Sequence, residues 1–111
     1  MPFWRCRSCS LILELPEPPD KCPKCGASKD MFKELTEEEV DLIIKSRRTN
    51  SLHLKALNLL EELLSIAEEG IKDGLDPACV KIFNEEKEFA TLTIQKIKAE
   101  LETHIKKGKW G

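Results

Sequence analysis

At 111 residues the chain is long enough for one ordinary domain or two very small ones. Its 41% hydrophobic and 34% charged residues suit a globular protein, and a net charge of -2 excludes the strongly basic surface that nucleic-acid binding uses. The apolar runs are too short for a membrane span, and the opening MPFWRC lacks the basic start and long apolar run of a secretion signal, so a cytoplasmic location is expected.

The first predicted element is a cysteine-rich module over residues 1–35. It holds four of the five cysteines as two CxxC pairs twelve residues apart, and all but one of the six prolines. In a reducing compartment paired cysteines more often hold metal than form disulfides, and an odd total suits four ligands plus one spare. Each CxxC puts two sulfurs on one tight turn, and two such turns face to face make a tetrahedral sulfur site that accepts zinc or iron. Cys6, Cys9, Cys22 and Cys25 are the predicted ligands. In CPKCG, Pro23 stiffens the turn and Gly26 supplies the left-handed residue that lets backbone N–H groups point at sulfur. About 35 residues cannot bury enough surface to fold unaided, so the metal belongs to the folding free energy.

The stretch FWRCRSCSLILELPEPPDKCPKCGASKDMF resembles the rubredoxin-like domain, in the short-loop form found in rubrerythrins. That form shares the knuckle spacing, an aromatic two residues before the first Cys (here Trp4), an acidic-proline stretch before the second knuckle (Glu17–Asp20) and a Lys/Asp-containing tail ending in Phe (Lys29, Asp30, Phe32). The resemblance implies a small β module in which Cys6, Cys9, Cys22 and Cys25 bind one iron that cycles between ferric and ferrous. Phe3, Trp4 and Phe32 would then pack beside it. One departure is Ser10, where the family usually has Gly; either Ser10 adopts the left-handed conformation, at about 1 kcal/mol or more, or the turn differs. Leu11 also replaces a frequently aromatic position.

An all-α region is predicted over residues 36–111. Thr36 and Glu39 form a T-x-x-E capping box, and Val40, Ile43 and Ile44 give a short helix over about 36–48 its apolar face. RRTNS, Arg47 to Ser51, is a candidate break. The next helix, about 51–72, carries a heptad seam at Leu57, Leu60, Leu64, Ala67 and Ile71, widened by Leu54, Leu59, Leu63 and Ile66. Gly70 and Gly74 are expected to loosen its end. Asp76–Pro77 reads as N-cap and first-turn proline of a last helix, about 77–107, with its own seam at Phe83, Ala90, Ile94, Ile97 and Leu101. Phe89, Leu92 and Ile105 broaden that face. The short link makes the pair an antiparallel hairpin. Apolar faces this broad predict self-association into a four-helix bundle, with packing of the first helix or the cysteine module as the competing remedy.

A di-iron site in such a bundle needs Glu-x-x-His, and neither His53, with Asn50 three residues before it, nor His104, with Leu101 three before it, supplies it. Counted from the loop at 1.5 Å per residue, His53 lies about 30 Å away and His104 about 42 Å, so the two are expected to miss each other, and no di-iron centre is predicted. Glu61, Glu62, Glu85, Glu86, Glu88 and Glu100 are expected to be solvated flank residues. Cys79, in a first helical turn, is expected to be a buried structural thiol, the alternative being a thiol whose pKa the helix dipole lowers. Trp110, near the terminus, is a candidate anchor of the tail to the bundle or to a partner.

Together these readings predict an electron carrier without catalytic residues: an iron site on four cysteines, fused to an oligomerising hairpin and serving a redox partner protein. A zinc-ribbon adaptor with a structural metal and a helical binding surface is the alternative. A rubrerythrin-like peroxide-reducing enzyme, its second site assembled between chains, is the third.

Overall fold

The computed structural model describes residues 1–111. Three short strands, β1 (Phe3–Cys6), β2 (Ile12–Glu14) and β3 (Phe32–Glu34), precede two long helices, α1 (Glu37–Asp73) and α2 (Pro77–Lys106). The chain divides into two units, Met1–Arg47 with Gly108–Gly111, and Arg48–Lys107. The first unit thus takes in the first turns of α1 beyond the cysteine-rich module of residues 1–35. No helix is long and apolar enough to cross a membrane.

In the first unit the antiparallel sheet has the order β2-β1-β3, with Trp4 opposite Leu13 and Cys6 opposite Phe32. Side chains alternate across a strand, so the two sides of the sheet serve different ends. Phe3 on one side packs with Leu35 and Ile43, joined by Ile12 and Val40. That cluster is why the first turns of α1 belong to this unit. On the other side Cys6, Cys22 and Phe32 form a second cluster, with Trp4, Leu11 and Leu13 against it. Phe3 thus does not lie beside the thiols as the resemblance implied; one residue along β1 reverses its face. The helix start is the predicted capping box. Thr36 N–H donates to Glu39 Oε1 at 2.9 Å, and Glu39 N–H donates to Thr36 Oγ1 at 3.2 Å. Arg47 ties the terminal residues in, donating from Nε to the Gly111 carbonyl (2.8 Å) and from Nη2 to Glu14 (3.1 Å), with its guanidinium over the Phe3 ring.

In the second unit α1 and α2 pack against each other as an antiparallel hairpin. Ala67, Ala90, Ile94 and Ile97 are its buried seam, and Leu57, Leu60, Leu64, Ile71, Phe83 and Leu101 are half-buried along it. Asp76 caps α2 by accepting from Cys79 N–H at 2.8 Å, with Pro77 in the first turn. Gly74, at φ +59°, closes α1 in the left-handed conformation, its N–H donating to the Gly70 carbonyl. Gly70 does not loosen the helix: its missing Cβ is the space the Phe83 ring fills.

The expected break at Arg47–Ser51 does not occur, and the two helices predicted over 36–48 and 51–72 are one. Its cap-type residues find partners without ending the helix. Ser46 donates back to the Leu42 carbonyl at 2.7 Å, and buried Asn50 meets His104 across the hairpin, Oδ1 to Nδ1, at 2.5 Å. His53 and His104, expected to miss each other, have ring centroids 6.4 Å apart, edge to face. Side chains lean toward the N-terminus of their own helix, and in an antiparallel pair those directions converge. Counting residues from the loop left out that lean. His104 Nε2 also lies 3.3 Å from Glu100 Oε1, one turn back.

Candidate metal centre

Two nearly identical turns present the four cysteines. In the first, Ser10 N–H donates to the Cys6 carbonyl and Cys6 N–H to the Leu11 carbonyl; in the second, Gly26 N–H donates to Cys22 and Cys22 N–H to Ala27, all at 2.8 Å. Both turns require a left-handed residue after the second cysteine. Gly26 takes φ +77° and Ser10 takes φ +69°, so Ser10 keeps the turn and bears the strain. Arg7 braces the first turn by donating to the Asp30 and Met31 carbonyls at 2.7 and 3.3 Å.

The turns face each other so that sulfurs pair across them: Cys6 with Cys25 at 3.7 Å and Cys9 with Cys22 at 3.6 Å. All four sulfurs lie within 4.8 Å of one another. A metal–sulfur bond of about 2.3 Å implies tetrahedron edges of about 3.8 Å. The two cross-turn edges therefore match a four-thiolate cage, and all four predicted ligands come together. All four are free thiols. Cys6 and Cys22 are buried, Cys9 is half-buried and Cys25 is exposed, so the cluster has a covered side and an open edge.

Local electrostatics prepare the sulfurs for a cation. Burial pushes the Cys22 thiol up, but the Cys25 and Lys24 backbone amides, with the Cys9 and Cys25 sulfurs, outweigh it and bring it down to about 6. Cys6 is lowered in the same way: burial opposes, and the Cys9 and Ser8 amides with the Cys25 and Cys9 sulfurs prevail. Cys9 receives one lowering amide, from Leu11, while burial and the other three sulfurs push it up to about 11. Four thiols this close cannot all ionise without a positive charge among them, and a divalent or trivalent ion supplies that charge. The donor set fits such an ion.

The fifth cysteine stands apart in the hairpin. The side chain and charge of Asp76, with burial and Asp73, raise the Cys79 thiol, opposite to the lowering that the helix dipole would give. Of the remaining aromatics, Trp4 donates from Nε1 to the Leu15 carbonyl at 3.0 Å, and Trp110 is partly exposed in the terminal segment of the first unit. Sequence reasoning found every thiol of the cluster. It missed the Asn50–His104–His53 group, whose signal lay in polar residues recurring at seam positions of a helix read as interrupted.

Residues 4–33 match the family model described as rubrerythrin, rubredoxin-like domain. The match spans both knuckles and the sheet except its first residue, Phe3, and its last, Glu34, and leaves the helices unassigned. No curated protein and no solved structure matches the chain.

Proposed function

We propose that the protein is an electron carrier in which Cys6, Cys9, Cys22 and Cys25 hold one iron ion and the helical hairpin serves self-association. The observation that supports this most is the closed set of four sulfurs with backbone amides aimed at it, within a segment matched to the rubredoxin-like domain. Iron in a four-thiolate cage supplies a one-electron ferric/ferrous couple. The chain's own residues do the rest. The thiolates fill the ligand positions and leave no seat for a substrate. The inward amides of Ser8, Cys9, Leu11, Lys24 and Cys25 spread the thiolate charge, which favours the reduced, more negative form. Phe32, Trp4, Leu11 and Leu13 keep water from the covered side, while Cys25 gives a redox partner protein a surface to approach.

The deciding measurement is the absorption spectrum and metal content of protein purified aerobically from its source. One iron per chain, with intense red ferric-thiolate bands that bleach on dithionite addition and return in air, is the expected result. One colourless zinc per chain would instead make the module structural and leave the hairpin as an adaptor's binding surface. A second metal equivalent would favour a peroxide-reducing enzyme.

A further inference from the structure

α1 carries two apolar seams, and α2 covers one of them. Residues 53, 57, 60, 64, 67 and 71 face α2. One residue earlier, Leu52, Ala56, Leu59, Leu63 and Ile66 repeat at alternating four and three residues, which is a complete heptad seam about 100° round the helix. Leu52, Leu59 and Ile66 are 49%, 66% and 55% exposed. On α2, Ile82 and Phe89 each precede a seam residue by one, and in an antiparallel pair equal offsets fall on the same side of the hairpin. They too are exposed, at the loop end of this side, where α2 carries on with Thr93, Lys96 and Glu100, so the continuous apolar seam on this side belongs to α1. The opposite side, carrying Asn58, Glu61, Ser65 and Glu68 on α1 and Asn84, Glu88, Thr91 and Gln95 on α2, is polar apart from Leu54, which is 42% exposed.

We propose that two copies of this chain pair through this second seam, α1 antiparallel to α1, in the register that sets Ala56 of one copy against Leu59 of the other. The proposal rests on the reading of the hairpin as a self-association element and specifies its partner, direction and register. Charge selects them. The residues flanking the seam on the side away from α2 are Arg48, Lys55, Glu62 and Glu69, all exposed, basic in the first half and acidic in the second. In antiparallel pairing these positions meet their own kind across the seam. With Ala56 against Leu59, Leu52 meets Leu63 and Thr49 meets Ile66. Arg48 then lies opposite Glu69, and Lys55 opposite Glu62, twice each by symmetry. Slipping by one heptad puts Glu62 against Glu62 and removes two of the four pairs. Parallel pairing would aim the same charges at the positions of His53, Leu60 and Ala67, on the side that already faces α2. A basic-then-acidic flank is therefore self-complementary in one direction and one register, which is how coiled coils select partners.

The test uses the full metal-loaded chain and sedimentation equilibrium. The wild type should be a dimer. The double variant R48E/K55E, with four acidic flank positions, and E62K/E69K, with four basic ones, should each self-associate about tenfold more weakly or worse, by the sum of four modest pairs turned repulsive. An equimolar mixture of the two should restore the dimer as a one-to-one heterodimer, and the quadruple charge swap in one chain should restore the homodimer. Leu59→Lys should be monomeric with unchanged helicity. A monomeric wild type, double variants that associate as the wild type does, or a mixture that fails to pair would each overturn the proposal. The metal spectrum should be the same in every variant. A colourless dimer would thus sink the electron carrier and leave the pairing, while a red monomer would do the reverse.

Discussion

The sheet unit has strands of four, three and three residues and keeps its apolar burial to Phe3, Phe32, Leu35 and Ile43 beside two thiols, whereas the hairpin buries Ala67, Ala90, Ile94 and Ile97 along a seam that repeats with every heptad. In the hairpin each added turn brings its own hydrogen bonds and its own seam residue, so stability accumulates with length. The sheet is too small for that, and its strands cannot close a core. Its two knuckles instead bring four cysteines to where one ion could clamp them. The same chain thus contains one unit held by repetition and one that a single point would hold.

The largest effect separates them outright. Cys22→Ser removes a buried ligand that two amides support, and the sheet unit should lose both stoichiometric metal and its dispersed amide NMR signals. Far-UV circular dichroism should keep most of its helical signal. If the sheet signals survived metal loss, the point-clamped half of the comparison would be wrong.

The reciprocal cut is Ile94→Ala in the hairpin. Ile94 is 5% exposed, and truncating a buried Ile to Ala typically destabilises by about 2–4 kcal/mol. Helical unfolding in urea should move to a lower midpoint by that amount, while the metal-to-protein ratio stays at one. A change in metal retention as large as the change in helix stability would mean that the units do not respond separately.

Within the sheet unit the two knuckles sharpen the contrast, because they share a backbone and carry different residues, Ser10 and Gly26, at the left-handed position. Gly26→Ala forces a side chain into φ +77° with open space around it, so the whole effect is conformational, a loss of about 1–2 kcal/mol. Ser10→Gly relieves the same strain at φ +69°, offset in part by a freer unfolded chain, for a gain of up to about 1 kcal/mol. Resistance of the bound metal to a chelator should order as Ser10→Gly, wild type, Gly26→Ala. Any other order would assign Ser10 a role beyond completing the turn.

The thiol cluster was legible because everything that builds it is local. Spacing places each pair on a turn, whereas at Ser10 the sequence left two outcomes, a left-handed residue or a different turn, and φ +69° gives the first. The hairpin was legible for a related reason, since a heptad repeats its evidence many times. What escaped was information carried by one side chain meeting another far along the chain. Asn50 in isolation is a cap residue; opposite His104 it is a buried partner, and the helix runs through it. Phe3 and Trp4 look alike in an aromatic pair, and only the strand's two-residue alternation sends Phe3 to Leu35 and Trp4 to the thiols. For Cys79 the sequence weighed burial against the helix dipole, a diffuse field, and left out the nearby carboxylate of Asp76, which dominates it.

That carboxylate gives the smallest and most local test of the hairpin. The Cys79 backbone N–H, the Cys79 side chain and, more weakly, the Ala78 N–H hold the Asp76 pKa below the ordinary value, with burial opposing. A depressed folded-state pKa contributes stability that is fully present above the unfolded-state value and is lost as pH falls through the folded one. The hairpin's melting temperature should therefore decline on acidification below the ordinary aspartate range. Asp76→Asn keeps an N-cap of equal rank while removing the charge. It should flatten Asp76's part of that decline and leave the neutral-pH stability nearly unchanged. The same substitution removes the main cause of the raised Cys79 thiol, so alkylation of Cys79 at fixed mildly alkaline pH, read by peptide mass, should speed up while the metal-bound cysteines stay protected. An unchanged alkylation rate would place the control of Cys79 in burial rather than in its neighbour's charge.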